Sequence, residues 1–389
     1  MRLPEAITAE PRLQRVLAML SDGGHAALIV GGAVRNGLIG APVEDVDIAT
    51  DALPARVQEL AQAAGLRAVP TGIDHGTITV VTGGRGFEVT TFRRDVETDG
   101  RRAVVAFSDR VEEDAARRDF TMNALYATAG GEVIDPVGGL PDLTARQVRF
   151  VGNPAARIAE DYLRVLRFFR FHAWYGAPGA ADPEALAACA EGAPGMARLS
   201  RERIGAETRK LLAAPDPSEA VALMAGAGVL AQVLPGADPA TLPALIAAER
   251  GAGVAPDWLR RLASLHGDDP AEALRLSRAE AARLARLAPV PGRFSVDAAG
   301  YRLGESAGRD AALLAQARGE PLPEDWPQRL AEAAASPLPI SAADLSPPLQ
   351  GPAIGQGLRA AEQAWIDSGF AMPAPGLIDV ALTVAETGK

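Results

Sequence analysis

At 389 residues, 48% hydrophobic and 23% charged, the chain is long enough for two or more domains with a sizeable core. Its net charge of −10 excludes a general nucleic-acid coat protein while leaving room for a local basic patch, and no apolar run reaches the length of a membrane span. A single cysteine, Cys189, rules out an internal disulfide and a cysteine-rich zinc site; cytoplasmic residence is the expectation.

The N-terminal "MRLPEAITAEPRLQRVLAML" reads as a first helix and not as a signal peptide, because acidic residues come early and no small-residue cleavage site follows its apolar patch. "ALIVGGAV" reads as a buried strand running into a glycine turn, where Gly31 and Gly32 let backbone N–H groups approach an anion. Arg35 follows at the start of a helix, placed to pair with a triphosphate. No Gly-Lys-Ser/Thr follows, so this is not the Walker pattern.

"DVDIAT" reads as a strand, with Asp45 and Asp47 projecting from one face. Two adjacent carboxylates repel unless a cation compensates them, and hard oxygen ligands at this spacing suit Mg²⁺ bound through one or two carboxylates plus substrate phosphates. A polar strand end is the plainer alternative. "LPARVQELAQAAG" is an amphipathic helix that stops at Gly65. "GTITVVTGGRGFEVTTFRRD" reads as two strands joined by the Gly83-Gly84-Arg85-Gly86 hairpin. Glu88 faces opposite to Phe87 and Val89, as a third carboxylate, a base for an attacking hydroxyl, or a surface strand residue.

"RRDFTMNALYAT" reads as helical, with Arg117, Arg118, Asp119 and Asn123 around apolar Phe120, Met122 and Leu125. These arginines either meet phosphates or form a solvated face. "GGEVIDPVGGLPDLTARQVRFVG" is a strand-and-turn stretch. From about residue 155 the pattern is almost entirely helical. "PAARIAEDYLRVLRFFRFHAWYG" reads as one helix on which Asp161, Arg164, Arg167 and Arg170 recur every three residues. A salt-bridged solvent face explains that stripe. So does an acceptor–donor edge of carboxylate and guanidinium, which matches the exocyclic amine and ring acceptor shared by cytosine and adenine. Further helices follow at "SRERIGAETRKLLAA" and "PSEAVALMAGAGVLAQVL"; beyond residue 235, Ala/Leu-rich helices alternate with Pro/Gly connectors without a short repeat. The architecture expected is an α+β head of about 150 residues and a helical remainder.

In this order "GGAVRN", "DVDIAT", "FEVTTFRRD", "RRDFTMNAL", "EDYLRVLRFFRF" and "RLSRERIGAETRKLL", spanning about residues 28–215, resemble the class II tRNA nucleotidyltransferases, the CCA-adding enzymes, which share a superfamily with bacterial poly(A) polymerases. A weaker likeness returns at "ISAADLSPPLQGPAIGQGL". The resemblance implies a polymerase-β-like nucleotidyltransferase head at residues 1–150, a nucleotide-selecting helical neck at 151–215, and a helical body and tail at 216–389 that bind tRNA. It implies template-independent addition of C, C and A to tRNA from CTP and ATP, by two-metal transfer that releases pyrophosphate. DNA and membranes are not expected partners. Asp45 and Asp47 would bind Mg²⁺ with Glu88 as the third carboxylate. Gly32, Arg35 and Arg118 would contact the incoming nucleotide, and Gly31 and Asn123 join these as nucleotide-binding candidates. Asp161 and Arg164 would read the base, supported by Arg167 and Arg170. "FRRDVETDGRRAVVAF" resembles the loop associated with switching from C to A addition.

One letter departs from the pattern: the first motif commonly ends in aspartate, and here it ends in Asn36. None of the four histidines is followed by aspartate, so no metal-dependent phosphohydrolase domain is expected. A poly(A) polymerase is the nearest alternative, disfavoured because no basic C-terminal extension is visible. A catalytically inactive RNA-binding relative is the other, disfavoured by the intact carboxylates.

Overall fold

The chain enters through α1 (Glu5–Thr8) and α2 (Pro11–Asp22). Glu10 caps α2 by accepting from the Leu13 amide at 2.7 Å, and Leu13, Val16, Leu17 and Leu20 form its buried stripe. The structure is a computed structural model that describes residues 1–98, 103–288 and 294–387. β1 (Leu28–Val30) turns through Gly31 into α3 (Gly32–Ile39). Gly31 lies at φ +68°, a left-handed conformation that favours glycine. Next come β2 (Asp47–Thr50), α4 (Pro54–Ala63), β3 (Arg67–Gly72), β4 (Thr77–Thr82) and β5 (Arg85–Thr91). The ribbon β6 (Arg93–Thr98) with β7 (Ala103–Phe107) covers the expected switching loop, whose tip at 99–102 lies outside the described residues. After α5 (Val111–Ala116), the short strands β8 (Tyr126–Ala127) and β9 (Val133–Ile134) lead to α6 (Gly139–Ala145).

Among the described residues, seven strands form one sheet in the order β3-β4-β5-β2-β1-β8-β9. Only the β2–β5 pair is parallel, with Ile48 opposite Val89; the other pairs are antiparallel. The hairpin read from the alternating pattern is present, burying Phe87 and Val89 and exposing Glu88.

Two helices expected from the sequence are not continuous. Residues 117–128 do not form a helix: Phe120 bridges to Phe150, the Thr121 amide donates to Arg149 O and the Val151 amide to Asp119 O. That pairing leaves only a 3₁₀ turn at Thr121–Asn123 before β8. Residues 154–176 form α7 (Pro154–Glu160) and α8 (Leu163–Tyr175), broken at Asp161, whose φ of −153° and ψ of 105° are extended. Helical periodicity continues through the break, which is why the sequence does not reveal it.

α9 (Pro183–Gly192), α10 (Arg201–Leu212), α11 (Ser218–Gly226) and α12 (Val229–Val233) complete a first compact unit, Met1–Pro235. An aromatic cluster joins its sheet region to α8: Phe120 lies 4.9 Å from both Phe150 and Phe171, and Phe150 stacks on Phe168 at 6.0 Å. Each such buried ring contributes about 2 kcal/mol from area alone.

The second unit, Gly236–Lys389, is helical. It contains α13 (Leu242–Gly251), α14 (Trp258–Ala263), α15 (Pro270–Ala273), α16 (Arg278–Arg286), α17 (Val296–Ala317), α18 (Trp326–Ala334), α19 (Pro352–Asp367) and α20 (Ala374–Thr387). It has its own cores around Leu245, Leu313 and Leu314, and around Leu345, Ala361 and Leu377. No helix among the described residues is long and apolar enough to cross a membrane.

Candidate active site

The parallel register builds the acidic half. Ile48 faces Val89, so one step back on each strand sets Asp47 beside Glu88. Asp45 lies two residues before β2, so the two aspartates do not share a strand as the sequence suggested. They still act on one another. Local burial raises the Asp47 carboxyl above the ordinary carboxylate value although the residue as a whole stays accessible; Glu88 adds to the rise, Arg118 opposes it, and Asp45 adds less. Converging like charges of this kind fit a compensating cation. No three His, Cys, Asp or Glu side chains among the described residues make a ready metal cage. The donor set instead fits a hard cation held by one or two carboxylates and completed by substrate phosphates.

The glycine turn faces two arginines. A Cβ on Gly31 would lie 3.4 Å from Arg118 Nη1, and one on Gly32 would lie 3.6 Å from Arg35 Nη2. Arg118 Nη2 donates to Asp114 Oδ2 at 2.8 Å and Nε to the Tyr126 hydroxyl at 3.0 Å, while that hydroxyl donates to Asp114 Oδ2 at 2.7 Å. Burial works against the Arg118 charge, but Asp114 more than restores it and holds the pKa above the ordinary arginine value. Arg35 is buried, and among the described residues its hydrogen-bond partners are neutral: Asn36 Oδ1 at 3.0 and 2.9 Å, the Tyr175 hydroxyl at 2.8 Å, and Asn123 Oδ1. Its guanidinium also lies 4.0 Å over the Tyr175 ring. Burial lowers its pKa. Tyr175 and, more remotely, Asp119 oppose that fall, but a buried cation whose hydrogen-bond partners are neutral is an anion-seeking group.

Next to this half, a cavity of about 350 Å³ is lined by Arg117, Arg118, Asp119, Asp161, Leu163, Arg164, Arg167 and Arg203. Asp161 Oδ1 accepts from the amide of Leu163, the first residue of α8, at 3.0 Å, and its other oxygen accepts from Arg203 Nη2 at 2.7 Å. Arg164 donates to Arg157 O at 2.8 Å and pairs with Glu160. The two expected base-reading residues therefore share the cavity, joined by the Arg164 amide donating to Asp161 O at 2.9 Å, while their side chains bond to other groups. Arg167 Nε donates to Asp119 Oδ2 at 2.8 Å, and Asn123 Nδ2 to Asp119 Oδ1 at 3.0 Å. Burial pushes the Asp119 carboxyl up, but Arg167, Asn123 and the Phe120 amide outweigh it and hold the pKa below the usual range.

Arg118, Asp161, Arg164 and Arg167 are thus gathered in one cavity, with Gly31, Gly32, Arg35 and Asn123 in contact with members of its wall or of the glycine turn. Arg170 is not among them: its Nε donates to Glu207 Oε2 at 2.6 Å and its guanidinium lies 4.5 Å over Phe171, which commits it to packing of α8 on α10. Arg203 escaped the sequence reading because it lies 42 residues from its partner, and only the Ser200 cap of α10 marks its helix start. A larger cavity of about 1280 Å³ lies in the second unit beside Arg260, Arg283 and Asp310, whose charges pair with one another; none of the candidate residues lines it.

Fold and site together define a nucleotidyltransferase-type head, carboxylates and arginines around a glycine turn, followed by helices. Residues 27–149 match the family model described as "Poly A polymerase head domain", and residues 181–241 match "Probable RNA and SrmB- binding site of polymerase A". The chain is 44% identical over 205 residues to the mitochondrial CCA tRNA nucleotidyltransferase 1 of Homo sapiens, covering 51% of this chain and 46% of that protein. It is 41% identical over 251 residues to the CCA-adding enzyme of Geobacillus thermodenitrificans, covering 64% and 57%. It spans about half the length of these curated relatives. The crystal structure of the Bacillus stearothermophilus CCA-adding enzyme in complex with CTP superposes with a TM-score of 0.67 at 29% identity, over 97% of this chain and 98% of that one. The Thermotoga maritima CCA-adding enzyme complexed with tRNA shares the fold at a TM-score of 0.69 and 17% identity, over 98% of each chain. The head and RNA-binding family models thus cover residues 27–149 and 181–241, and the chain is similar to CCA-adding enzymes.

Proposed function

We propose that the chain adds C, C and A to tRNA 3′ ends from CTP and ATP, without a nucleic-acid template. The observation that carries this reading is the double position of Arg118, which acts on the Asp47 carboxylate and also lines the cavity of Asp161, Arg164 and Arg167. Triphosphate charge and base recognition would then meet on one residue. Similarity to tRNA nucleotidyltransferases and CCA-adding enzymes supports the same reaction.

Asp45 and Asp47 would hold Mg²⁺, with Glu88 beside them. When bound, Mg²⁺ supplies neutralisation of the triphosphate and a more acidic attacking hydroxyl. The chain's own groups do the rest. The Gly32 backbone N–H, with Arg35 and Arg118, offsets the phosphate charges, while the Gly31 N–H donates to Leu125 O at 3.0 Å and Gly31 shapes the turn. Asp161 accepts from the exocyclic amine of cytosine or adenine, and the arginines of the same cavity donate to the ring acceptor; guanine and uracil present the opposite groups. The ribose 3′ hydroxyl then gives up its proton, with Glu88 the candidate acceptor, as its oxygen bonds to the α-phosphorus; the bond from that phosphorus to the bridging oxygen breaks, and pyrophosphate leaves. tRNA would be recognised by shape and backbone through a local basic surface.

The test incubates protein and Mg²⁺ with labelled CTP or ATP and tRNA transcripts ending before C, CC or CCA. Extension that stops at CCA is expected. A long A tail on unrelated RNA would identify a poly(A) polymerase instead, and no incorporation under any condition would identify an inactive RNA-binding relative.

A further inference from the structure

We infer that Asn36 is a positioning residue that ties Arg35 to the turn bearing the metal carboxylates, and that it does so because it is an amide. The inference rests on the proposed nucleotidyl transfer. Asn36 Oδ1 accepts from Arg35 Nε and Nη2 at 3.0 and 2.9 Å, while its Nδ2 donates to Pro42 O at 2.8 Å. The two Arg35 donors fix which end of the amide is oxygen. Its backbone carbonyl also accepts from the Gly40 amide and, at 2.9 Å, from the Ala41 amide, where Gly40 at φ +71° ends α3. From β5, Arg85 Nη2 donates to Glu44 O at 2.9 Å. The segment entering Asp45 and Asp47 is therefore held at residues 40 and 41, at 42 and at 44, and Asn36 supplies the first two holds.

An aspartate at this position would perform only half the task. Both carboxylate oxygens are acceptors, so one could still take Arg35, but the other would face the Pro42 carbonyl with no proton between them. The same aspartate would place a negative charge in direct contact with Arg35, whose present hydrogen-bond partners are all neutral, and so cancel charge directed at a phosphate. The amide accepts from Arg35 without neutralising it and donates to the carboxylate turn.

The experiment titrates Mn²⁺ into protein with CTP present and no RNA primer, so that no turnover occurs, reading free Mn²⁺ by electron paramagnetic resonance and CTP affinity by calorimetry. Wild type, Asn36→Asp and Asn36→Ala are compared, with thermal unfolding of each. Both variants should weaken Mn²⁺ binding by roughly three- to tenfold, the effect of losing one hydrogen bond. Both should weaken CTP, Asn36→Ala by freeing Arg35 and Asn36→Asp by neutralising it, with the larger loss in Asn36→Asp. Unchanged Mn²⁺ affinity in Asn36→Asp overturns the link to the carboxylate turn, and a CTP loss in Asn36→Asp no larger than in Asn36→Ala overturns the argument for a neutral partner. Should Asn36→Ala fail to fold, the isosteric Asn36→Asp still decides the link to the turn, and unchanged CTP affinity in it overturns the argument for a neutral partner. A wild type that binds CTP and Mn²⁺ yet does not extend tRNA overturns the proposed reaction and leaves this inference to be judged by the binding arms.

Discussion

Arg167 and Asp119 show how one ion pair can both line a cavity and anchor its wall. Asp119 is 8% exposed and accepts from Arg167, Asn123 and the Phe120 amide. Removing Arg167 would leave that carboxylate buried without its counter-charge, at a cost of about 3 kcal/mol, the low end for a broken buried pair because Arg167 is itself partly open to solvent. Asp161 has a different standing: it is half-exposed and bonds to Leu163 and Arg203, which line the same cavity. Urea unfolding should therefore find Arg167→Ala strongly destabilised and Asp161→Ala close to wild type, while base selectivity in single-nucleotide addition relaxes in Asp161→Ala. Equal stability of the two variants, or unchanged selectivity in Asp161→Ala, would break the assignment. The acid limb of stability carries the same signature. The folded-state pKa of Asp119 is depressed, so its contribution is present above about pH 4, the unfolded value, and is lost as pH falls through the folded one. Arg167→Ala should flatten that limb.

At the scale of elements, what the sequence displays is what local periodicity controls. The β4–β5 hairpin, the α3 start after the glycine turn and the outward face of Glu88 all follow from alternation or capping within a few residues. What it hides is set by distant partners: residues 117–128 are drawn out of a helix by pairing with 149–151, and α7 and α8 part at Asp161 although their apolar spacing runs on. The Asp47–Glu88 pair lies between these cases, since each strand was legible and their parallel register was not. That register has a measurable consequence. The Asp47 pKa is raised, first by local burial and then by Glu88, so the carboxylate needed for a cation is lost at a higher pH than for an ordinary aspartate. Mn²⁺ affinity, measured with CTP and without primer, should fall as pH drops through this raised value. Glu88→Gln removes the second cause and should move the midpoint to lower pH. A midpoint that stays put or rises would mean that the two carboxylates do not sense each other.

For the molecule as a whole, chemistry and scaffold are divided between Met1–Pro235, which holds every candidate site residue, and the helical Gly236–Lys389. Little chemistry is legible in the second unit because its Ala/Leu-rich helices look alike, yet it buries a cluster of charges. Glu249, Arg260, Arg261 and Asp310 are each less than 5% exposed. Glu249 Oε1 accepts from Arg260 Nε at 2.8 Å and Oε2 from Arg261 Nη2 at 2.8 Å, while Arg260 Nη1 donates to Asp310 Oδ1 at 2.6 Å. One carboxylate from α13 thus serves two buried guanidiniums from α14. Truncating it leaves excess positive charge in a low-dielectric interior, which costs on the order of 3–5 kcal/mol. Hydrogen exchange on Glu249→Ala should therefore show lost protection across residues 236–389, whereas CTP and Mn²⁺ binding, built from residues of the first unit, should persist. Glu249→Gln keeps the shape and one acceptor, and should fall between wild type and Glu249→Ala. Loss of CTP binding in a Glu249→Ala protein that keeps protection throughout residues 236–389 would show that the site depends on the second unit in a way its own residues do not reveal.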